Sequence, residues 1–524
     1  MIKTLKILFF LMIGLVLTMS DAMSFERRAG QKYLVISSRQ KVPIMDPSIK
    51  YDASIRTLQQ AMYDALVKYV DTPPKVVPWL AERWKISADG TKYTFHLVKN
   101  AKFHNGDPVN AEAVRWSFDR TLTLGKGPAW MLNAFLKAEN IKVINDYTVE
   151  FTLDRPFAPF LSFVPWWFIM NPKEVMAHEV DGDMGQKWLI DHEAGSGPFK
   201  LNRVAPGNLY EVGRFKGYWK GFKGELGGIV YKIIRESGSQ RAGLMKGEID
   251  IAADLSPDDF DQVSKMEGIV TSTEPALTAF GLKFNTRGKY TSDINLRKAI
   301  AYAYDYDAGF IKVWNGRAKL QTSPFTDNIK GMIPISGMPT WDLSKAREYL
   351  KKSAWPNGGI EVEYVYVQGF EPERLMGLVL IDSMLDLNIK IKMVPLTWAN
   401  MTARGSKVET SPDIMAIFAT PVSTDPDAIA IQYHPSSHGR YYGTHYYDNQ
   451  EVTKLIEQAR FESSWEKRAP LYEKIQRMLV ADQPEIFGMM RMRMIAYRDW
   501  VKGFEYSPVR MTSELDFYPL HIGN

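Results

Sequence analysis

A chain of 524 residues without one cysteine has to be held together by its cores alone. No disulfide can staple it, and its length exceeds what one compact core supports, so two or three lobes are expected. The same absence excludes cysteine nucleophiles, thiolate metal sites and the modified cysteine that tethers bacterial lipoproteins. Hydrophobic residues at 45% and charged residues at 24% are the balance of a folded globular protein, which removes the disordered classes.

The first residues constrain the compartment. Lys3 and Lys6 precede an almost wholly apolar run, 7–19, and Ser20-Asp21-Ala22 supplies small residues where a signal peptidase reads. The run is short of the roughly 20 residues that span a bilayer. Residues 1–22 are therefore expected to be a cleaved signal peptide ending at Ala22, and the mature chain is expected to lie free in the periplasm without a lipid anchor. Removing Lys3, Lys6 and Asp21 leaves 63 basic and 59 acidic residues, net +4. That is too weak and too dispersed a charge for a nucleic-acid partner.

Strand and helix signals alternate along the mature chain, which predicts an α/β fold. Tyr33-Leu-Val-Ile-Ser37 reads as a buried strand, and Lys92–Leu97 and Tyr147–Leu153 alternate as half-buried strands. Ile55, Leu58, Met62, Leu66 and Tyr69 have helical spacing, which predicts a helix over 55–69. Asp89-Gly90 and Asn105-Gly106 are turn signals, and Asn110 is placed to cap a helix that begins at Ala111 with Glu112 in its first turn. Gly195–Phe199 and Ala279–Thr286 have the composition of crossings between lobes, or of ordinary turns.

Several segments then carry a resemblance. Trp79-Leu-Ala-Glu-Arg-Trp84, Asp89-Gly90, Tyr93–Leu97, Lys102-Phe-His-Asn-Gly106 and Ala111–Val114 follow one another closely. Gly195-Ser-Gly-Pro-Phe199, Gly217-Tyr-Trp-Lys-Gly221, Lys283–Thr286 with Leu296–Ile300, Asp342–Leu350, Val394–Trp398 and Arg468–Pro484 continue in the same order. This set resembles the family 5 extracellular solute-binding proteins of ABC importers. The resemblance implies a two-lobe periplasmic-binding-protein clamp of type II with an extra subdomain. Lobe I would comprise 24–50, 195–283 and 496–524, the inserted subdomain 51–194, and lobe II 284–495. It further implies a monomeric receptor that closes on a small-molecule or peptide ligand and delivers it to an inner-membrane ABC permease with its ATPase subunits. No cofactor or metal is called for.

Catalytic signatures are missing: there is no phosphate-binding Gly-rich loop, no dinucleotide fingerprint and no nucleophile elbow. His178-Glu179 and His192-Glu193 lack the second histidine of a zinc helix. A periplasmic hydrolase remains the enzyme alternative, since carboxylates can pair in space. His434, His438 and His445 lie within a dozen residues and keep a metal- or haem-binding receptor of the same family as the other alternative.

The resemblance, with the rule that ligands settle at strand ends facing a crevice, names the candidate contacts. Arg39 follows the first strand. Gln368 and Phe370 end a lobe II strand, Trp398 follows another, and Thr420, Ser423 and Asp425 follow a third. Arg440, Tyr441 and Tyr442 lie in the aromatic loop beyond. The aromatics offer flat apolar faces, Arg39 or Arg440 a two-pronged contact to a carboxylate, and Thr420 and Ser423 hydroxyls. Peptide-binding relatives place an aspartate shortly before the Asp-Pro element to pair with the ligand's α-amine, whereas Phe418–Thr424 contains no acid. Asp46 or Asp425 would have to replace it. The expected ligand is a peptide-sized polar solute: an oligosaccharide, an opine-like conjugate or a peptide.

Overall fold

The structure, a computed structural model, describes residues 33–51, 53–510 and 514–523, so the expected signal segment lies outside it. Two long strands organise the rest. Ile269–Phe284 and Glu485–Arg498 run antiparallel through the middle of a large mixed sheet. From edge to edge the sheet runs Phe199–Ala205, Leu209–Arg214, Gly228–Ile233, Tyr33–Ser38, Ile251–Ala252, Glu485–Arg498, Ile269–Phe284, Ile414–Ala419, Ile360–Val367 and Ile389–Leu396, with Ala318–Leu320 paired to Glu485–Arg498 off that path. Tyr33–Ser38 has parallel neighbours on both sides and is a nearly unbroken buried run, as a doubly covered strand requires.

The central pair is continuous in sequence but not in register. Between Pro275 and Ala279 the pairing slips, and it slips again between Phe280 and Gly281. Proline cannot donate to a ladder and is tolerated in a strand at such irregularities. On one side of the slip the pair adjoins Ile251–Ala252 and the first lobe; on the other it adjoins Ile414–Ala419, Ala318–Leu320 and the second lobe. The chain thus passes between lobes along these two strands. Gly195–Phe199 has a different role: it leads from the inserted segment to the edge strand Phe199–Ala205. Glycine is required there because a Cβ on Gly195 would lie 1.9 Å from the Met62 carbonyl oxygen, and one on Gly197 2.5 Å from the Met62 carbonyl carbon.

The inserted segment has its own antiparallel sheet, ordered Ala81–Ile86, Lys92–Leu97, Thr148–Thr152, Ile141–Asn145. The helix Ala111–Leu124 covers it. Asn110 accepts from the Ala113 amide at 2.9 Å, and Gly125 ends the helix in the left-handed conformation at φ 60°. Phe118 from this helix stacks on Trp167 at 4.7 Å and meets Phe151 edge-on at 4.8 Å.

The predicted helix over 55–69 is shorter than its spacing suggests. It spans Ala53–Met62, and strands Asp64–Ala65 and Val67–Val70 follow. Apolar residues at 62, 66 and 69 serve either period; tertiary contacts decide. The buried Asp64 carboxylate accepts from Trp79 Nε1 (2.7 Å), Ser196 Oγ (3.0 Å), the Tyr218 hydroxyl (3.1 Å) and Trp219 Nε1 (3.3 Å). The β-branched Val67 and Val70 pair with Lys75–Pro78. No helix among the described residues is long and apolar enough to cross a membrane.

Candidate functional site

Parallel strands of both lobes end at one crevice. In the first lobe Tyr33–Ser38 leads to Arg39, and Ile251–Ala252 leads to Asp254. In the second, the parallel strands Ile360–Val367, Ile389–Leu396 and Ile414–Ala419 lead to Gln368 and Phe370, to Trp398 and to Thr420. The carboxyl ends of parallel strands leave space between the following loops, which is where ligands of α/β proteins bind.

The two sides touch. The Arg39 guanidinium of the first lobe lies 5.7 Å from the Phe370 ring centroid of the second. Asp254 Oδ2 positions this end by accepting from Ser38 Oγ at 2.8 Å and from the Arg39 amide at 3.1 Å. Phe370 packs edge-on to Phe418 at 5.9 Å and near Trp314 at 6.3 Å. Thr420 shares a 2.9 Å hydrogen bond with Thr278, which lies in the register slip of the crossing strand. Gln368 is exposed, and its backbone N–H donates to the Leu396 carbonyl at 2.7 Å.

The aromatic loop forms a second cluster. Trp398 is 47% exposed and meets Tyr441 at 5.6 Å, and Tyr441 meets Tyr442 edge-on at 4.9 Å. The inserted segment faces them: Trp130 lies 6.5 Å from Tyr442, and the Arg440 guanidinium stands 5.4 Å from the Trp130 ring centroid. Trp130 Nε1 donates to the Tyr51 hydroxyl at 2.9 Å, which fixes the indole. Burial raises the Tyr442 hydroxyl above its ordinary pKa, with the Arg440 cation opposing, so it stays a neutral donor and acceptor.

The segment without an acid is held differently. Val422 occupies it, and the Trp166 indole N–H donates to the Val422 carbonyl. Ser423 is buried and accepts from the Asp425 amide at 3.1 Å. Asp425 itself faces Arg468, whose guanidinium donates to both carboxylate oxygens at 2.7 and 2.9 Å. Asp46 is held the same way by Arg120, at 2.7 and 2.9 Å, with both side chains fully buried. Both acids that the sequence offers as amine partners are thus engaged bidentately by arginines.

The three histidines do not converge. His434 Nδ1 accepts from the Ser436 amide at 3.1 Å and caps a short turn. His438 Nε2 donates to the Tyr447 carbonyl at 2.8 Å. His445 is buried, stacks on Tyr433 at 5.1 Å and accepts from the Tyr447 amide at 3.1 Å. Burial, with Lys283 and His438 adding to it, holds the His445 imidazole well below its ordinary pKa and neutral. Among the described residues no three His, Cys, Asp or Glu side chains are grouped to hold a metal ion.

Several crevice residues are beyond the sequence reading: Trp130, Asp254, Thr278, Trp314 and Arg491. Arg491 carries a usable signal, since a charged residue alternates into the apolar run 489–494, MMRMRM. The Arg491 guanidinium lies 4.7 Å from the Trp314 ring centroid. Burial pulls its pKa down to about 10, opposed by Asp254 and helped by Arg39, so it remains a cation at neutral pH.

The chain is similar to several known proteins. Residues 75–472 match the family model described as bacterial extracellular solute-binding proteins, family 5 Middle. The probable D,D-dipeptide-binding periplasmic protein DdpA of Escherichia coli is 30% identical over 484 residues, covering 91% of this chain and 92% of that one. The dipeptide-binding protein of Escherichia coli is 26% identical over 491 residues, covering 88% of each. Among solved structures, the periplasmic binding protein DppA of Helicobacter pylori in complex with peptide STSA superposes with a TM-score of 0.82 at 24% identity, over 94% of this chain and 98% of that one. That likeness establishes the fold.

Proposed function

Since the chain belongs to the family 5 bacterial extracellular solute-binding proteins, we propose that it captures a peptide-sized polar solute in the crevice between its lobes and hands it to the membrane permease of an ABC importer. The observation that carries this reading is the convergence of strand ends from both lobes on one aromatic- and hydroxyl-lined crevice, with Arg39 on one side and Phe370, Trp398, Thr420, Tyr441 and Tyr442 on the other. Ligand bridging the lobes stabilises the closed arrangement through contacts that the open one lacks, and that difference is the signal to the permease. The slip at Pro275–Ala279, where two strands connect the lobes, is the hinge of this motion. The chain acts as a monomer in the periplasm, with its leader removed after Ala22. A mass of the exported protein that still includes residues 1–22 would rule out that processing.

The named relatives support a short peptide as the solute. The absence of an acid from 418–424 supports a second reading: an amine-blocked peptide, an opine-like conjugate or an oligosaccharide. A buried ammonium without a counter-charge is strongly unfavourable. Thermal-shift screening decides between them. The panel is D-alanyl-D-alanine, L-dipeptides and L-tripeptides, their N-acetyl forms, opine-like conjugates and oligosaccharides. A ligand at 100 times its Kd stabilises by about 2.7 kcal/mol. Shifts confined to oligosaccharides would sink the peptide reading, and steady turnover of any bound compound would sink the receptor reading.

A further inference from the structure

The strand Glu485–Arg498 carries two arginines, Arg491 and Arg493, among methionines that are mostly buried. Arg493 has a structural explanation: it stands 4.6 Å over the Tyr506 ring and donates to the Glu514 carbonyl at 3.2 Å. Arg491 sits where the crossing strand borders the crevice. Its guanidinium covers Trp314, Trp314 lies beside Phe370, and Phe370 carries the Arg39 guanidinium on its own face. One cation comes from the hinge strand and the other from the end of Tyr33–Ser38, and the two bracket a pair of aromatic rings.

Asp254 is a neighbouring counter-charge. It already accepts from Ser38 Oγ and the Arg39 amide, and it acts electrostatically on Arg491 as well. Among the described residues Asp254 thus serves both the Arg39 loop and Arg491. Guanidinium groups resting on aromatic faces are weakly hydrated, hold a fixed plane and present paired donors that match a carboxylate. Asp46 and Asp425, the acids that the sequence offers to a ligand's ammonium, are engaged by Arg120 and Arg468. Recognition is therefore biased toward the anionic end of a solute.

We propose that Arg491 and Arg39 form an anion subsite at the hinge end of the crevice, which receives a carboxylate of the solute. The proposal rests on the reading of this crevice as the ligand site and deepens it: the solute is an acid. Arg491 holds the carboxylate from the crossing strand, and Arg39 completes the contact beside Phe370 of the opposite lobe, so the anion also favours closure.

The test is calorimetric titration of the purified protein with matched pairs of acids and carboxamides. Alanine di-, tri- and tetrapeptides, D-alanyl-D-alanine and glutathione serve as peptide probes; opine-like conjugates and N-acetyl amino acids serve as non-peptide carboxylates; neutral oligosaccharides complete the set. The expected result is that the acid of a pair binds about 10- to 100-fold more tightly than its amide, as loss of a charge-assisted contact implies. Arg491→Gln should bring the acid down to the amide's level, Arg491→Lys should restore part of the difference, and the exposed Arg39→Gln should reduce it without loss of folding. Binding of non-peptide acids alone, with the same dependence on Arg491, would leave the subsite standing and remove the peptide reading. Equal binding of acid and amide, an acid affinity unchanged in Arg491→Gln and Arg39→Gln, or binding confined to neutral compounds would overturn the subsite. So would a panel in which no acid binds at all.

Discussion

Replacing Asp425 by asparagine separates a structural carboxylate from a ligand-binding one. In the folded protein Arg468 donates to both oxygens of Asp425, at 2.7 and 2.9 Å, and the side chains are 6% and 13% exposed respectively. Arg468 also donates to the Ala459 carbonyl at 2.9 Å and to the Tyr472 hydroxyl at 3.0 Å, so it cannot swing out to water without losing both. Burial acts against its charge, and Asp425 is the largest opposing influence that keeps it charged. Removing one member of a buried ion pair costs about 3–5 kcal/mol. Asparagine keeps one oxygen acceptor, and Asp425 retains some solvent contact, so about 2–4 kcal/mol is expected here. At about 2.1 cal/mol/K per residue, a mature chain of about 500 residues shifts by about 1 °C per kcal/mol, so Asp425→Asn should melt about 2–4 °C below wild type. Its ligand affinity, measured below the melting range, should stay within about twofold, since a side chain turned to Arg468 has no direct share in ligand binding. The double variant Asp425→Leu/Arg468→Met should recover much of the lost stability, because it leaves no charge unpaired. An unchanged melting temperature together with abolished binding would refute this reasoning and make Asp425 a ligand contact.

Three further outcomes follow from particular contacts. Burial holds the Glu373 carboxyl up to about 8 against an ordinary 4.5, so from pH 4.5 to 8 the unfolded chain has released a proton that the folded chain keeps. Stability should fall with rising pH across that window, and Glu373→Gln, which keeps an acceptor for the Val367 amide at 2.7 Å, should remove the slope and be more stable by a few kcal/mol near pH 8.5 in urea titrations; parallel profiles would contradict this. Trp166→Phe keeps an aromatic face but removes the indole donor to the Val422 carbonyl, so urea titration should show stability lowered by about 1 kcal/mol, and an unchanged midpoint would contradict this. Small-angle scattering should give a smaller radius of gyration at saturating ligand, and hydrogen exchange should slow most at 275–279 where the register slips; an unchanged radius would argue against an open resting state.

Some of this was legible in the sequence because it depends on short-range chemistry. The continuous apolar run at Tyr33, the alternation of Lys92–Leu97 and the cap at Asn110 each follow from a few adjacent residues, and each stands in the structure as a strand or a capped helix start. The ordered set of segments along the chain was enough to identify the family, and the family brings the two-lobe clamp with it. The boundary at Met62 was not legible, because apolar residues at 62, 66 and 69 satisfy both periods and the choice is made by donors to Asp64 from as far away as Trp219. Nor could the sequence say which acids are available to a ligand. Asp46 is neutralised by a residue 74 positions away and Asp425 by one 43 positions away. The second crossing strand, the cluster of Trp130 with Tyr442 and the pairing of Arg491 with Arg39 around two rings depend in the same way on which distant segments the fold brings together. Local propensity is a property of neighbours in the chain, whereas charge compensation and a binding crevice are properties of neighbours in space, and only the tertiary structure specifies those.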